Sequence, residues 1–333
     1  MNKLKIAING FGRIGRTAFK IALTKPNLEV VAINDLTDAK TLAHLLKYDT
    51  AYGIYEKKVD SRGNYLIIEN KKYQVLAEKE PDKLPWKKLG IDVVLECTGR
   101  FTDKDSASKH LKAGAKKVII SAPSKGGGVP TIVLGVNQEK YKGEAVINNA
   151  SCTTNCIAPV AKIINDKLVV LKAMMTTVHS YTADQNLQDG PHRDLRRARA
   201  AAANIVPTTT GAIIATTETI PELKGLFDGL SIRVPTILVS LSDFTFLVKK
   251  KTTIAEVNKI FNEAAKSPRY KNILAVINEP LVSSDFIKNP YSTIIDLSLT
   301  KVIGGDLVKV IAWYDNEWGY SNRLIELVEV ISR

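Results

Sequence analysis

The stretch KLKIAINGFGRIGRTAFKIAL, Lys3 to Leu23, decides how this chain folds. Lys3 to Asn9 alternates and then turns apolar, as a buried strand does. Gly10, Gly12 and Gly15 follow as G-x-G-x-x-G, and Arg16 to Leu23 carries apolar residues at helical spacing. Strand, glycine turn and helix in that order suit a dinucleotide: glycines let the backbone approach a pyrophosphate, and the helix N-terminus supplies N–H groups and partial positive charge. A second strand, Glu29 to Asn34, ends at Asp35, 20 residues after Gly15. An acidic side chain there accepts hydrogen bonds from an adenosine ribose and repels a 2′-phosphate, which predicts NAD rather than NADP.

Further along, Thr41 to Leu46 has a helical pattern and Tyr65 to Leu76 reads as a short hairpin. Ile91 to Cys97 is a nearly continuous apolar run, the mark of a parallel strand buried on both faces, with Cys97 as core. It opens into Thr98, Gly99 and Arg100, at the edge where ligands sit in such sheets. A helix at Asp105 to Ala113 and strands at Lys117 to Ser121, Thr131 to Val136 and Glu144 to Asn148 continue the alternation. Residues 1–150 are therefore expected to form a doubly wound parallel (Rossmann) sheet, an α/β dinucleotide-binding domain.

Past residue 150 the pattern changes. Long strand-like runs at Val169 to Val178, Ser231 to Val239, Phe244 to Val248 and Leu307 to Tyr314 alternate with helices at Gly211 to Ile220 and Ala255 to Ala265. They predict a second, α+β catalytic domain over 151–315, built on a mixed or antiparallel sheet. The C-terminal helix, within 316–333 and spanning Ser321 to Ile331, is expected to pack back on the first domain. Tyr181 to Thr210 lacks strand pattern and holds Arg193, Arg196, Arg197 and Arg199, so it reads as a long ordered loop with a helical turn, serving a site or an interface.

Composition narrows the class. The chain has 333 residues, 45% of them hydrophobic, enough for two packed cores and too many for a disordered polymer. The start, MNKLKIAING, enters a strand at once, and no uncharged run of membrane-spanning length occurs, so a cytoplasmic protein without membrane contact is expected. Three cysteines argue for reduced thiols rather than a disulfide framework. The net charge of +13 favours anionic ligands and admits nucleic acid, but the lysines are scattered, which describes a solvated basic surface better than a nucleic-acid site.

The chemistry centres on ASCTTNCIAP, Ala150 to Pro159. Cys152 stands between Ser151 and Thr153 where a loop runs into a helix at Ile157 to Ile164. A thiol at a helix N-terminus is drawn toward thiolate, and the same N–H groups can hold an oxyanion. His179 ends the first long strand of the second domain and could act as the base for that sulfur, if the fold brings the two within hydrogen-bond reach. Taken alone, Cys152 could equally be core filling, His179 could be structural, and Cys152, Cys156 and His179 could begin a metal site that lacks a fourth ligand.

Six motifs together resemble phosphorylating glyceraldehyde-3-phosphate dehydrogenase, over essentially the whole chain. They are NGFGRIGR at Asn9 to Arg16, SCTTNC at Ser151 to Cys156, HSYTADQ at His179 to Gln185, DLRRARAAA at Asp194 to Ala202, RVPT at Arg233 to Thr236 and WYDNEWGYSNR at Trp313 to Arg323. The resemblance implies NAD as cofactor, no metal, and D-glyceraldehyde 3-phosphate and inorganic phosphate as substrates. It makes Cys152 the nucleophile that passes through a thioester to 1,3-bisphosphoglycerate, and His179 its base.

By the same resemblance Thr182, Asp184 and Arg233 surround the substrate phosphate, and Ser151, Thr153, Thr210 and Gly211 hold the attacking phosphate. Gly10, Gly12, Arg13 and Ile14 would contact the pyrophosphate, Asn34 and Asp35 the adenosine side, and Thr98, Gly99 and Ser121 the sheet edge. Asn316 would bond the carboxamide and Tyr320 would pack near the nicotinamide ring. A homotetramer in glycolysis or gluconeogenesis is implied as well. Gly190-Pro191, Ile213-Ile214 and the glycine-rich Ser124 to Gly128 depart from the family pattern without removing a catalytic group. Erythrose-4-phosphate dehydrogenase is the nearest alternative, and a basic nucleic-acid-binding protein is an alternative of another class.

Overall fold

The central strand of the first sheet is β1 (Leu4–Asn9), and its last four residues are buried. The computed structural model describes residues 3–332. After β1 the chain runs through α1 (Arg13–Ala22), β2 (Leu28–Asn34), α2 (Ala39–Lys47), β3 (Tyr48–Asp49), β4 (Gly53–Ile54), β5 (Val59–Arg62), β6 (Tyr65–Ile68), β7 (Lys71–Leu76), α3 (Trp86–Leu89), β8 (Val93–Glu96), α4 (Lys104–Lys112), β9 (Lys117–Ile120) and β10 (Val146–Asn148). Then come α5 (Cys152–Leu168), β11 (Val170–Ser180), β12 (Val206–Thr208), α6 (Ala212–Thr219), β13 (Phe227–Val234), β14 (Ser240–Val248), α7 (Ile254–Lys266), β15 (Leu274–Ile277), β16 (Thr293–Asp296), β17 (Lys301–Ile303), β18 (Leu307–Tyr314) and α8 (Trp318–Ile331).

By mutual contact the chain forms two units. One holds the chain up to Ile132, then Glu139–Ala150 and the segment from Ser321 on; the other holds Val133–Gln138 and Ser151–Tyr320. In the first, the strand order is β10-β9-β8-β1-β2-β7-β6-β5. The six from β10 to β7 pair in parallel, and β6 and β5 continue antiparallel at one edge. This is a Rossmann fold, in which crossover connections, most of them through helices, set the central strands parallel. The edge strand β5 escapes sequence reading because Val59–Arg62 is too polar and short to show a face. Trp86 is fully buried among Ala7, Ala32, Ile91 and Val94, filling the space between sheet and covering segments.

Gly15 is a packing requirement. A Cβ there would fall 2.1 Å from the carbonyl oxygen of Gly10, so α1 lies against the turn that precedes it. Gly15→Ala is expected to push α1 outward and cost about 1–3 kcal/mol, as overpacking does. Each kcal/mol should appear as a fall of roughly 2–4 °C in the thermal midpoint. An unchanged midpoint would show that α1 can shift freely.

The second unit is a mixed sheet in the order β12-β13-β11-β14-β18-β16-β15, with β17 added beside β18. The β11–β13 and β15–β16 pairs are parallel and the rest antiparallel. Several expected boundaries move here. The strand expected at Ser231 to Val239 is β13, which starts at Phe227 and ends before Pro235, a residue with no N–H to give a neighbour. Its early half is cryptic because Gly229 has no side chain: a Cβ there would meet the Met175 carbonyl oxygen at 2.1 Å. Residues 181–210 do contain a strand, β12, whose central Pro207 suits the sheet edge it occupies. Thr131 to Val136 is not a strand. Thr131 makes an isolated bridge to Asn148, and then a turn follows in which the Asn137 side chain accepts from the Val133 N–H at 2.8 Å and Gly135 adopts φ 83°. Its apolar run reflects burial of a turn. The helix expected from Ile157 starts at Cys152, and the one expected from Ser321 starts at Trp318.

Candidate active site

In the first unit the sheet's C-terminal edge opens into a cleft of about 420 Å³ whose wall includes Gly10, Gly12, Asn34, Asp35 and Thr98. Gly10 has φ 90° and is pressed against the Cys97–Thr98 backbone, where a Cβ would meet Thr98 N at 2.7 Å, whereas a Cβ at Gly12 would meet nothing within 4 Å, so at Gly12 bare backbone faces open space. The Asp35 carboxylate is fixed by two backbone donors, Phe11 N at 2.7 Å and Thr37 N at 2.9 Å, one on each oxygen. Each oxygen keeps a lone pair for a ribose hydroxyl. A glycine turn at a helix start and an anchored acid on the next strand fit a dinucleotide. Arg13, Ile14, Gly99 and Ser121 lie off this wall. Arg13 is paired with Asp49 at 2.7 Å, and Ser121 donates its N–H to the Glu96 carbonyl at 2.9 Å.

In the second unit Cys152 is the first residue of α5. Ser151 caps that helix, its hydroxyl accepting from Thr154 N at 3.0 Å. The Cys152 Sγ lies 3.6 Å from His179 Nε2, near the end of β11. His179 Nδ1 is 2.6 Å from the Ser180 carbonyl oxygen, which can only accept. The ring proton therefore sits on Nδ1, and Nε2 is left to take a proton from the thiol. Tyr314 sets the ring from the side: it lies edge-on to His179 at 6.0 Å, and its hydroxyl bonds Thr153 at 3.1 Å and Thr177 at 2.9 Å.

Electrostatics here differ from the simple expectation for a helix start. Cys152 keeps some surface exposure, yet the protein around it is dense enough that burial raises the thiol pKa, with Arg233 opposing. Burial, seconded by Arg233, pushes the imidazole well below its ordinary range. Each group alone is thus held neutral. Charge can appear on both together, by passing the thiol proton to Nε2, because the two charges then attract at short range.

Arg233 is the register partner of His179 in the parallel β11–β13 pair, which puts both on one face of the sheet. Its Nη1 donates to Thr182 Oγ1 at 2.9 Å, while its buried Nε has no partner among the described residues. A buried guanidinium donor without an acceptor is costly and suits an incoming anion. The structure gives Asp184 another occupation: its carboxylate pairs with Arg197, which also donates to Thr208 Oγ1 and the Thr209 carbonyl, both at 3.0 Å. Thr210 Oγ1 accepts from Ala212 N at 3.2 Å, and Gly211 precedes α6 with open space over its Cα. Asn316 accepts from the Ser240 hydroxyl at 3.2 Å, and Tyr320 is buried. Cys156, one turn beyond Cys152, faces Ser242 and Thr293. Sequence reading assigned no site role to Tyr314 or Thr177 and named Arg197 only among the arginines of the long loop; position inside the quoted motifs was the only signal for Tyr314 and Arg197.

Comparison with known proteins identifies the family of both units. Residues 4–104 match the model of the glyceraldehyde 3-phosphate dehydrogenase NAD binding domain, and residues 151–316 match that of its C-terminal domain. The chain is 53% identical over 331 residues to glyceraldehyde-3-phosphate dehydrogenase of Geobacillus stearothermophilus, covering 99% of this chain and 98% of the relative. Glyceraldehyde-3-phosphate dehydrogenase 1 of Bacillus subtilis (strain 168) is also 53% identical, over 332 residues with the same coverage. The chloroplastic GAPA1 enzyme of Arabidopsis thaliana is 52% identical over 334 residues, 99% of this chain and 84% of the relative. NAD is accordingly the cofactor of this chain. A Rossmann unit for the dinucleotide, a mixed-sheet unit carrying the cysteine and histidine, and identity sustained along both place the chain in the glyceraldehyde-3-phosphate dehydrogenase family of NAD-dependent oxidoreductases.

Proposed function

We propose that the protein oxidises D-glyceraldehyde 3-phosphate to 1,3-bisphosphoglycerate through a thioester on Cys152, with NAD as oxidant and inorganic phosphate as acyl acceptor. The observation that carries this reading is the 3.6 Å approach of Sγ to a His179 nitrogen whose ring partner is already committed to Ser180. Nucleotide binding is assigned to residues 1–150 with the C-terminal helix, and catalysis to 151–315.

Attack of Sγ on the aldehyde carbon sends the thiol proton to His179 Nε2, which returns it to the new oxygen to give a hemithioacetal. The partial positive charge at the start of α5 would favour that oxygen as its charge develops. His179 then takes the hydroxyl proton back as the carbonyl reforms. When bound, NAD supplies the acceptor for the hydride that leaves the same carbon. The product is a thioester on Cys152, and phosphate displaces the thiolate, which recovers its proton from His179.

Arg233 and Thr182 would hold the substrate phosphate, the buried Nε of Arg233 gaining the acceptor it lacks. Asp184 would contribute through Arg197. Ser151, Thr153, Thr210 and Gly211 would receive the attacking phosphate, each hydroxyl exchanging an internal bond for one to the anion. Asn316 and Tyr320 would orient the nicotinamide, and Gly10, Gly12, Arg13, Ile14, Thr98, Gly99 and Ser121 would meet the phosphates and sheet edge. A cytoplasmic homotetramer in central carbon metabolism completes the reading; among the described residues no helix is long and apolar enough to cross a membrane.

The test is NADH formation from D-glyceraldehyde 3-phosphate and NAD, with and without phosphate. Steady turnover is expected only with phosphate. An equal rate without it would assign acyl release to water and overturn the reading.

A further inference from the structure

Behind the wall of the first unit's cleft lies a buried carboxylate that the proposed chemistry does not use. Register sets Asn9, Asn34 and Glu96 side by side at the ends of β1, β2 and β8. Glu96 is 1% exposed. Asn9 Nδ2 donates to its Oε2 at 2.6 Å, Thr98 N donates to Oε1 at 2.8 Å, and the Thr98 hydroxyl donates to the same Oε1. His110 Nε2 lies 3.0 Å from Oε2. Because Trp86 Nε1 donates to His110 Nδ1 at 3.0 Å, Nδ1 is an acceptor, and the proton of the neutral ring is on Nε2, pointing at Glu96. Four donors converge on one enclosed carboxylate, with neither Lys nor Arg among its described partners.

Such a group is expensive to bury and is retained only where its bonds fix something. What it fixes borders the cleft on both sides. Thr98, held through N–H and hydroxyl, in turn accepts from Arg100 N at 3.1 Å. Asn9 passes the order on, its Oδ1 accepting from Asn34 Nδ2 at 2.7 Å, and Asn34 clamps Glu78 through both its N–H at 2.9 Å and its carbonyl at 2.8 Å. Asn9, Asn34, Glu78 and Thr98 all stand on the cleft wall, whereas Glu96 does not.

We propose that Glu96 is a positioning residue for the dinucleotide: its carboxylate sets Thr98 and the Asn9–Asn34–Glu78 chain in their ligand-binding arrangement before the ligand arrives. This rests on the reading of the cleft as the NAD site. An amide at this position turns one acceptor into a donor facing other donors, which breaks the chain without changing the volume of the side chain.

Isothermal titration of the purified full-length protein with NAD and with ADP-ribose tests it. Glu96→Gln is expected to weaken both ligands by about tenfold or more, the loss of one or two charge-assisted hydrogen bonds. KM for NAD should rise in step while kcat at saturating NAD stays within about twofold, the signature of lost uniform binding. Glu96→Asp, which keeps the charge, should recover part of the affinity. Wild-type affinity in Glu96→Gln, or a fall in kcat with binding intact, overturns the proposal. Should Glu96→Gln fail to fold, Thr98→Val removes one donor from the carboxylate and should still weaken both ligands by several-fold; unchanged affinity there is equally fatal. A wild-type protein that binds neither ligand would instead defeat the NAD reading itself.

Discussion

Cys152→Ser is expected to lower the rate of phosphate-dependent NADH formation by about 10⁴-fold or more, as removal of a nucleophile does in enzymes with covalent intermediates. Serine keeps the cap at Ser151 and the start of α5, so the loss would come from chemistry rather than folding. No other sulfur can substitute. Cys156 is fully buried against Ser242 and Thr293, with its thiol pushed up to about 12 by burial. Cys97 belongs to the first unit and is raised to about 12 for the same reason. Initial rates, with mass spectrometry of the acylated chain during turnover, decide the matter. A serine variant within tenfold of wild type, or an acyl group trapped on another residue, would end the proposed mechanism.

His179→Asn should cost about 10²- to 10⁴-fold in kcat, the usual worth of a positioned acid–base group. Asn can bond the Ser180 carbonyl but cannot take a proton. The second readout is alkylation of Cys152 by iodoacetamide. In the wild type the thiol can hand its proton to Nε2 and react near neutral pH. Without that acceptor it must ionise alone, above its ordinary 9.0, because burial disfavours the isolated thiolate. The sign is therefore fixed: thiolate is lost as pH falls below the raised pKa, so alkylation in the variant should be slow at pH 7 and climb steeply into the alkaline range. A variant alkylated at the wild-type rate at pH 7 would show that His179 does not govern the sulfur.

How much was readable beforehand follows from what each element depends on. The Gly10–Gly12–Gly15 turn, β1, β2 and Asp35 were legible because their pattern is local and the chemistry of a pyrophosphate demands it. Cys152 and His179 were legible as residue types, but their 3.6 Å distance arises from α5 docking on the face of β11 and is invisible in sequence. The neutral state of each group taken alone is likewise a product of burial, which the helix-start argument omits. Tyr314 was read only as the end of a strand, since its bonds to Thr153 and Thr177 join positions 161 and 137 residues away. Thr131 to Val136 misled because apolar content reports burial, whereas strand formation also needs donors that Pro130 and the following turn do not offer.

The place of β18 bears on biosynthesis. It lies between β14 and β16, yet it is among the last strands to leave the ribosome. At about 5–20 residues per second, the nascent chain waits on the order of ten seconds between the emergence of β11 and that of β18. For the later part of that interval, from the completion of β14 at Val248 to the arrival of β18 at Leu307, β14 with Phe244 and Phe246 has one uncovered edge, and a chaperone's shelter would serve it there.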